Sequence, residues 1–146
     1  SERRTIFNET NNEVSIKATN SLNNNIHPII CVGETFQQKK DNRTKEVLSK
    51  QIIESINGDS NNDNTIIAYE PIWAIGSGLT PSLDEIEDIH NFIKNEIQGY
   101  ENYKILYGGS VKSANSKEIL NLNSVDGLLI GGASLNVGEF KKILSF

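Results

Sequence analysis

Glu70 follows the apolar run Thr65–Tyr69 and is itself followed by Pro71-Ile72-Trp73-Ala74-Ile75-Gly76-Ser77-Gly78. A carboxylate delivered at the C-terminal end of a strand can act as a general base. The loop behind it has a proline at its start and two glycines near its end. That composition suits a stiff apolar tip, Trp73-Ala74-Ile75, swinging on short hinges to close over a ligand. A structural glutamate followed by an ordinary strand-to-helix loop accounts for the composition equally well.

Two later stretches share one design. Tyr107-Gly108-Gly109-Ser110-Val111 and Leu128 to Leu135 (LLIGGASL) each run from a strand into a Gly-Gly pair, then into a small residue that opens a helix. Glycine lets a backbone approach an anion closely, and a helix start supplies unpaired N–H groups. The chemistry indicated is anion binding, of phosphate above all, by the backbone of these two loops. Either pair alone reads as a tight turn; two at successive strand ends make a more specific pattern.

These groups need parallel strands whose C-terminal ends lie together. The sequence supplies four short apolar runs, Pro28–Val32, Thr65–Tyr69, Lys104–Tyr107 and Gly127–Ile130, with the composition of strands buried on both faces. Between them lie helical periods. Thr44–Asn57 aligns Leu48, Ile52 and Ile56, with Gly58 placed to end it. Leu83, Ile86, Ile89, Ile93 and Ile97 form one stripe that Gly99 closes, and its start signals are Thr80 as cap, Pro81 at the first helical position and a Ser82/Glu85 capping box. Ser113–Leu120, Gly138–Phe146 and Asn12–Leu22 are further helices, and Asn57–Asn64 is a polar surface connection. The fold class is α/β. Four βα units do not close an eight-stranded barrel. If residues 1–146 belong to one, about half of that single domain lies outside them, and the resemblance given below implies that they are its C-terminal portion.

Composition excludes other classes. A net charge of −5 disfavours nucleic acid and anionic membrane surfaces as partners, and no apolar run is long enough to span a bilayer. The one cysteine, Cys31, forms no internal disulfide and fits a reducing, cytoplasmic setting, where it reads as a small buried hydrophobe. With two separated histidines, His27 and His90, there is no metal-site spacing, and both read as structural. Lys39-Lys40 and Lys141-Lys142 read as solvated charge. No cofactor is implied.

In this order, AYEPIWAIGSG (Ala68 to Gly78), ILYGGSV and LLIGGASL resemble the signature blocks of the triosephosphate isomerase family. The opening SERR with Phe7 and Glu9 resembles the segment after that family's fourth strand, and Cys31 to Glu34 the end of its fifth. The resemblance implies strands 5–8 of a (β/α)8 TIM barrel. It also implies a phosphorylated three-carbon substrate, proton transfer through an enediolate with Glu70 as base, and a homodimer for the full-length enzyme. Gly76, Ser110, Gly131 and Gly132 become backbone phosphate donors, Ile75 and Leu129 an apolar clamp on the glutamate, and Ser1 and Glu2 neighbours of the site. The family's electrophilic histidine falls one residue before Ser1, and its lysine and asparagine earlier still. The 146 residues alone are therefore expected to be catalytically silent. Pro81 also removes an N–H available to many relatives for a bond to Tyr107. Two rivals remain: another sugar-phosphate barrel, which the Glu-Pro-Ile-Trp-Ala lid disfavours, and a non-catalytic phosphate-binding half-barrel.

Overall fold

The computed structural model describes residues 1–56, 58–96, 99–100 and 102–145. Among them, Ile29–Val32 (β1), Ile66–Tyr69 (β2), Lys104–Tyr107 (β3) and Gly127–Leu128 (β4) form one parallel sheet in the order β1-β2-β3-β4. Val32 lies opposite Tyr69, Tyr69 opposite Tyr107, and Tyr107 opposite Leu128, so the C-terminal ends of the strands are level. Backbone pairing continues one residue past them: Glu70 N–H donates to the Val32 carbonyl at 2.7 Å and Gly108 N–H to the Tyr69 carbonyl at 2.8 Å. That level edge is where the sequence places its chemistry.

Alternation along the strands decides what lies beneath the sheet. Ile30, Val32, Ile67, Tyr69, Ile105 and Tyr107 point to one face and are all buried. Their cover comes from Asn11–Asn23 (α2), Thr44–Ser55 (α4), Leu83–Glu96 (α5), Ser116–Leu120 (α6) and Val137–Leu144 (α7). Leu48, Ile52 and Ile56 are buried as their spacing requires, and so are Ile86, Ile89 and Ile93. The opposite face departs from the expectation of two buried faces. Ile29 is 44% exposed there, and Cys31, Ile66 and Leu106 are only partly covered, because no helix layer of the described residues packs against them.

Several boundaries shift for local reasons. Helix α5 begins at Leu83, later than the Thr80 and Pro81 signals suggest. The capping box wins: Ser82 Oγ accepts from Glu85 N–H at 3.2 Å, and Glu85 Oε2 accepts from Ser82 N–H at 2.8 Å. Helix α4 ends at an extended Ile56, so Gly58 is not its cap. Asn57, Ile97 and Phe146, which the sequence assigned to helices, lie outside the described residues. Helix α6 starts at Ser116 and not at Ser113, so Ser110 opens no helix. Two short helices carry no readable period: Glu2–Ile6 (α1) and Phe36–Lys40 (α3), the latter fixed by a Thr35/Gln38 capping box.

His90 lies behind the sheet, fully buried, its ring 6.0 Å from that of Tyr69 and 6.4 Å from that of Tyr107. Its Nδ1 is 3.3 Å from the Ser124 carbonyl. Burial pulls its pKa down from 6.5 to about 4, so it is neutral at physiological pH. Between these two values the unfolded chain binds a proton that the folded chain refuses. Stability therefore falls as pH drops from about 6.5 to about 4, by roughly 3 kcal/mol in total. Urea unfolding across that window should show this acid loss, and His90→Gln should flatten it. An unchanged slope in the variant would place the titration elsewhere.

Candidate functional site

Crowding fixes the position of Glu70. A Cβ on Gly33 would lie 1.8 Å from the Glu70 carbonyl oxygen, so only glycine lets β1 come this close to the residue after β2. A Cβ on Gly108 would lie 2.7 Å from Glu70 Cγ, so the first glycine of the β3 pair is space for the glutamate side chain. The second makes space for another group, since a Cβ on Gly109 would come within 2.2 Å of the Tyr107 hydroxyl. The sequence reading gave this pair to an anion; its closest approaches are to side chains. At Gly132 a Cβ would meet nothing within 4 Å, and the same holds at Gly131, so those backbones face open space.

Ser1 Oγ donates to Glu70 Oε2 at 2.9 Å. Ser1 is brought there by α1, which is tied down through Arg4. The Arg4 guanidinium donates to Ser55 Oγ at 3.0 Å, to the Cys31 carbonyl at 3.4 Å and to Asn11 Oδ1, linking α4, β1 and α2. Cys31 is half-buried, and burial together with the nearby Glu70 carboxylate pushes its thiol up to about 11. It stays protonated and is a poor nucleophile. His27 is exposed ahead of β1, and His90 is buried behind the sheet; neither lines the cavity in front of Glu70.

That cavity is about 930 Å³ and is lined by Glu70, Gly76, Ser110, Gly131 and Gly132, with Ile75, Leu129 and Glu2 beside them, whereas Ser1 does not line it. The loop after Glu70 forms one wall. It makes a 3₁₀ turn at Ile72–Ala74 and then passes through Gly76 and Gly78, whose φ values of 63° and 77° are left-handed and favour glycine. Ala74 is fully buried and Trp73 half-buried, so the tip is less exposed than its composition suggests. Two hydrogen bonds explain this. Ser110 Oγ donates to the Ala74 carbonyl at 2.5 Å, joining the lid to the β3 loop, and Trp73 Nε1–H donates to Glu34 Oε1 at 2.8 Å.

Glu34 is a residue whose role the sequence did not disclose. It lies just beyond β1, is only 1% exposed, and also accepts from the Tyr69 hydroxyl at 3.3 Å. Burial pushes its carboxyl above the usual range, against the opposing pull of these hydrogen bonds. A buried charge right after an apolar strand was the available signal. Lys112 and Glu139 also line the cavity, and Glu139 accepts from Ser113 N–H at 2.7 Å. Lys39 corrects the reading of a solvated pair: it bonds Glu85 Oε1 at 2.7 Å and lies over the Trp73 ring.

The two kinds of glycine should separate on substitution. Gly33→Ala forces backbone apart and should destabilise by about 3 kcal/mol or more, whereas Gly132→Ala should change stability by less than about 0.5 kcal/mol. Chemical denaturation of both variants checks this. Equal losses would mean that β1 does not approach Glu70 as closely as described.

Comparison with known proteins agrees with this geometry. The family model described as triosephosphate isomerase matches residues 1–146. The chain is 45% identical to a triosephosphate isomerase of Rhizobium meliloti, over 98% of this chain and 58% of that protein. It is 41% identical to one of Alkaliphilus oremlandii, over 100% of this chain and 62% of that protein. The crystal structure of triosephosphate isomerase from Bartonella henselae superposes with a TM-score of 0.88 at 35% identity, covering 99% of this chain and 60% of that one. The chain thus spans about 60% of the length of the relatives it matches. Its parallel sheet and helices are part of a TIM barrel, and the chain belongs to the triosephosphate isomerase family.

Proposed function

We propose that this chain supplies the base and the phosphate cradle of an isomerase that interconverts dihydroxyacetone phosphate and D-glyceraldehyde 3-phosphate. One observation carries the reading: Glu70 faces the same cavity as Gly76, Ser110, Gly131 and Gly132. Glu70 removes a proton from the carbon beside the substrate carbonyl, giving an enediolate. The protonated carboxyl then returns that proton to the former carbonyl carbon. The hydroxyl proton on the first carbon's oxygen passes to the second's through a group outside those assigned here, so the carbonyl moves by one position with no net gain or loss of atoms.

The phosphate is held by backbone N–H groups of the lid and of the loops after β3 and β4, in a chain whose net charge is −5. Ile75 and Leu129 exclude water as the lid closes, which strengthens the carboxylate as a base and protects the enediolate. In the family, the histidine and lysine that polarise the carbonyl match no residue of this chain. The step given to these residues is therefore proton transfer and anchoring. The complete protein is read as a cytoplasmic homodimer. One unpaired cysteine supports the compartment, and family membership supports the assembly.

Glu70→Gln in the complete protein should lower turnover by at least about 10²-fold, and Glu70→Asp should also lose activity because the carboxylate moves by about 1 Å. Near-normal turnover by Glu70→Gln in a steady-state assay would remove the base from Glu70. Separately, sulfate soaked into crystals of the complete protein should settle among the N–H groups of Gly76, Ser110, Gly131 and Gly132. Consistent binding elsewhere, with this cradle accessible, would count against it. Phosphate binding in that cradle without any turnover would instead favour a non-catalytic binding protein.

A further inference from the structure

Trp73 is held on more than one side. Its ring nitrogen is bonded to Glu34, the Phe36 ring leans on it at 6.5 Å and 54°, and the Lys39 ammonium lies 4.0 Å from its ring centroid. Phe36 and Lys39 are three apart on α3, so they share one helix face. The same ammonium reaches Glu85 Oε1, and Glu85 belongs to the capping box that starts α5, the helix after the lid. One side chain therefore touches both ends of the loop. The Lys39 side chain is 31% exposed, against 52% for Arg43 in the nearby pair with Glu46. The half-exposed Phe36 is accounted for as well, since it completes the cage around the indole.

We propose that Lys39 is a positioning residue for the lid: its ammonium, laid over the Trp73 ring, anchors the first turn of the loop that brings Ile75 and Gly76 to the cavity. The inference rests on the isomerase reading for its kinetic consequence, but not for its structural one. A cation over an indole at a partly exposed site is worth a factor of about two to five in an equilibrium. Without it, the equilibrium constant for ordering the lid falls by that factor, and apparent substrate affinity falls by at most as much.

The test uses the complete protein with 5-fluorotryptophan incorporated, the Trp73 resonance being assigned by its loss in Trp73→Phe. Lys39→Met should shift and broaden the ¹⁹F resonance, Lys39→Arg should restore it, and Lys50→Met on α4 should leave it alone. In parallel, Lys39→Met should raise KM, by up to about five-fold, with kcat changed by less than about two-fold, and Lys39→Arg should reverse this. A Lys39→Met protein with an unaltered Trp73 resonance would overturn the anchor, as would failure of Lys39→Arg to restore it. If Glu70→Gln retains turnover, the isomerase reading falls while the resonance still decides the role of Lys39.

Discussion

Backbone crowding where β2 ends governs the geometry of the whole cavity. The Glu70 carbonyl sits where a Gly33 side chain would be, and its Cγ sits against Gly108. Three parallel strands converge on one residue, and two of them give up their side chains to admit it. This is possible because the register is level: Val32, Tyr69 and Tyr107 lie side by side, so the residues that follow them meet at one edge. A slip of one residue would turn Glu70 toward the other face of the sheet. Its position thus depends on ladder hydrogen bonds and on absent Cβ atoms, and less on any single attractive contact.

Two carboxylates leave adjacent strands at this edge, and their surroundings divide the work between them. Glu70 stands at the front, with a serine hydroxyl on one oxygen and the cavity before it. Glu34 lies deeper, shut off from water, with the Tyr69 hydroxyl and the Trp73 indole on one oxygen and no side-chain partner for the other among the described residues. The first can exchange protons with something in the cavity. The second holds a loop. The difference lies in desolvation and neighbours and not in residue type, as is general for paired acids.

Long periodic features could be read from the chain without its coordinates. The strands, the stripes of α4 and α5, and the place of Glu70 at a strand end ahead of a loop with two glycines follow from runs and spacings within the sequence. The features missed share a physical cause. Helices α1 and α3 have five residues each, too few to show a period. Lys39 looked solvated because its partners, Trp73 and Glu85, are 34 and 46 positions away and meet it only once the sheet forms. Ser110 was expected to open a helix; its hydroxyl is spent instead on the Ala74 carbonyl, a contact that no local pattern encodes. Gly108 and Gly109 were rightly singled out, but as anion contacts, because sequence cannot say which atom will occupy the space a glycine leaves.

Arg4 has a consequence for how this site can vary. Ser1 reaches Glu70 from a short helix outside the sheet, and that helix is bolted down by a guanidinium whose ends grip Asn11, Ser55 and the Cys31 carbonyl. A planar fork fixes direction as well as distance, which a lysine in its place would not do. Ser55 is buried on α4, and neither it nor Asn11 lines the cavity. Substitutions at those two positions are therefore transmitted along a lever to the Glu70 carboxylate. The surroundings of Glu70 are thus open to inherited adjustment from behind the sheet, with every wall of the cavity left intact.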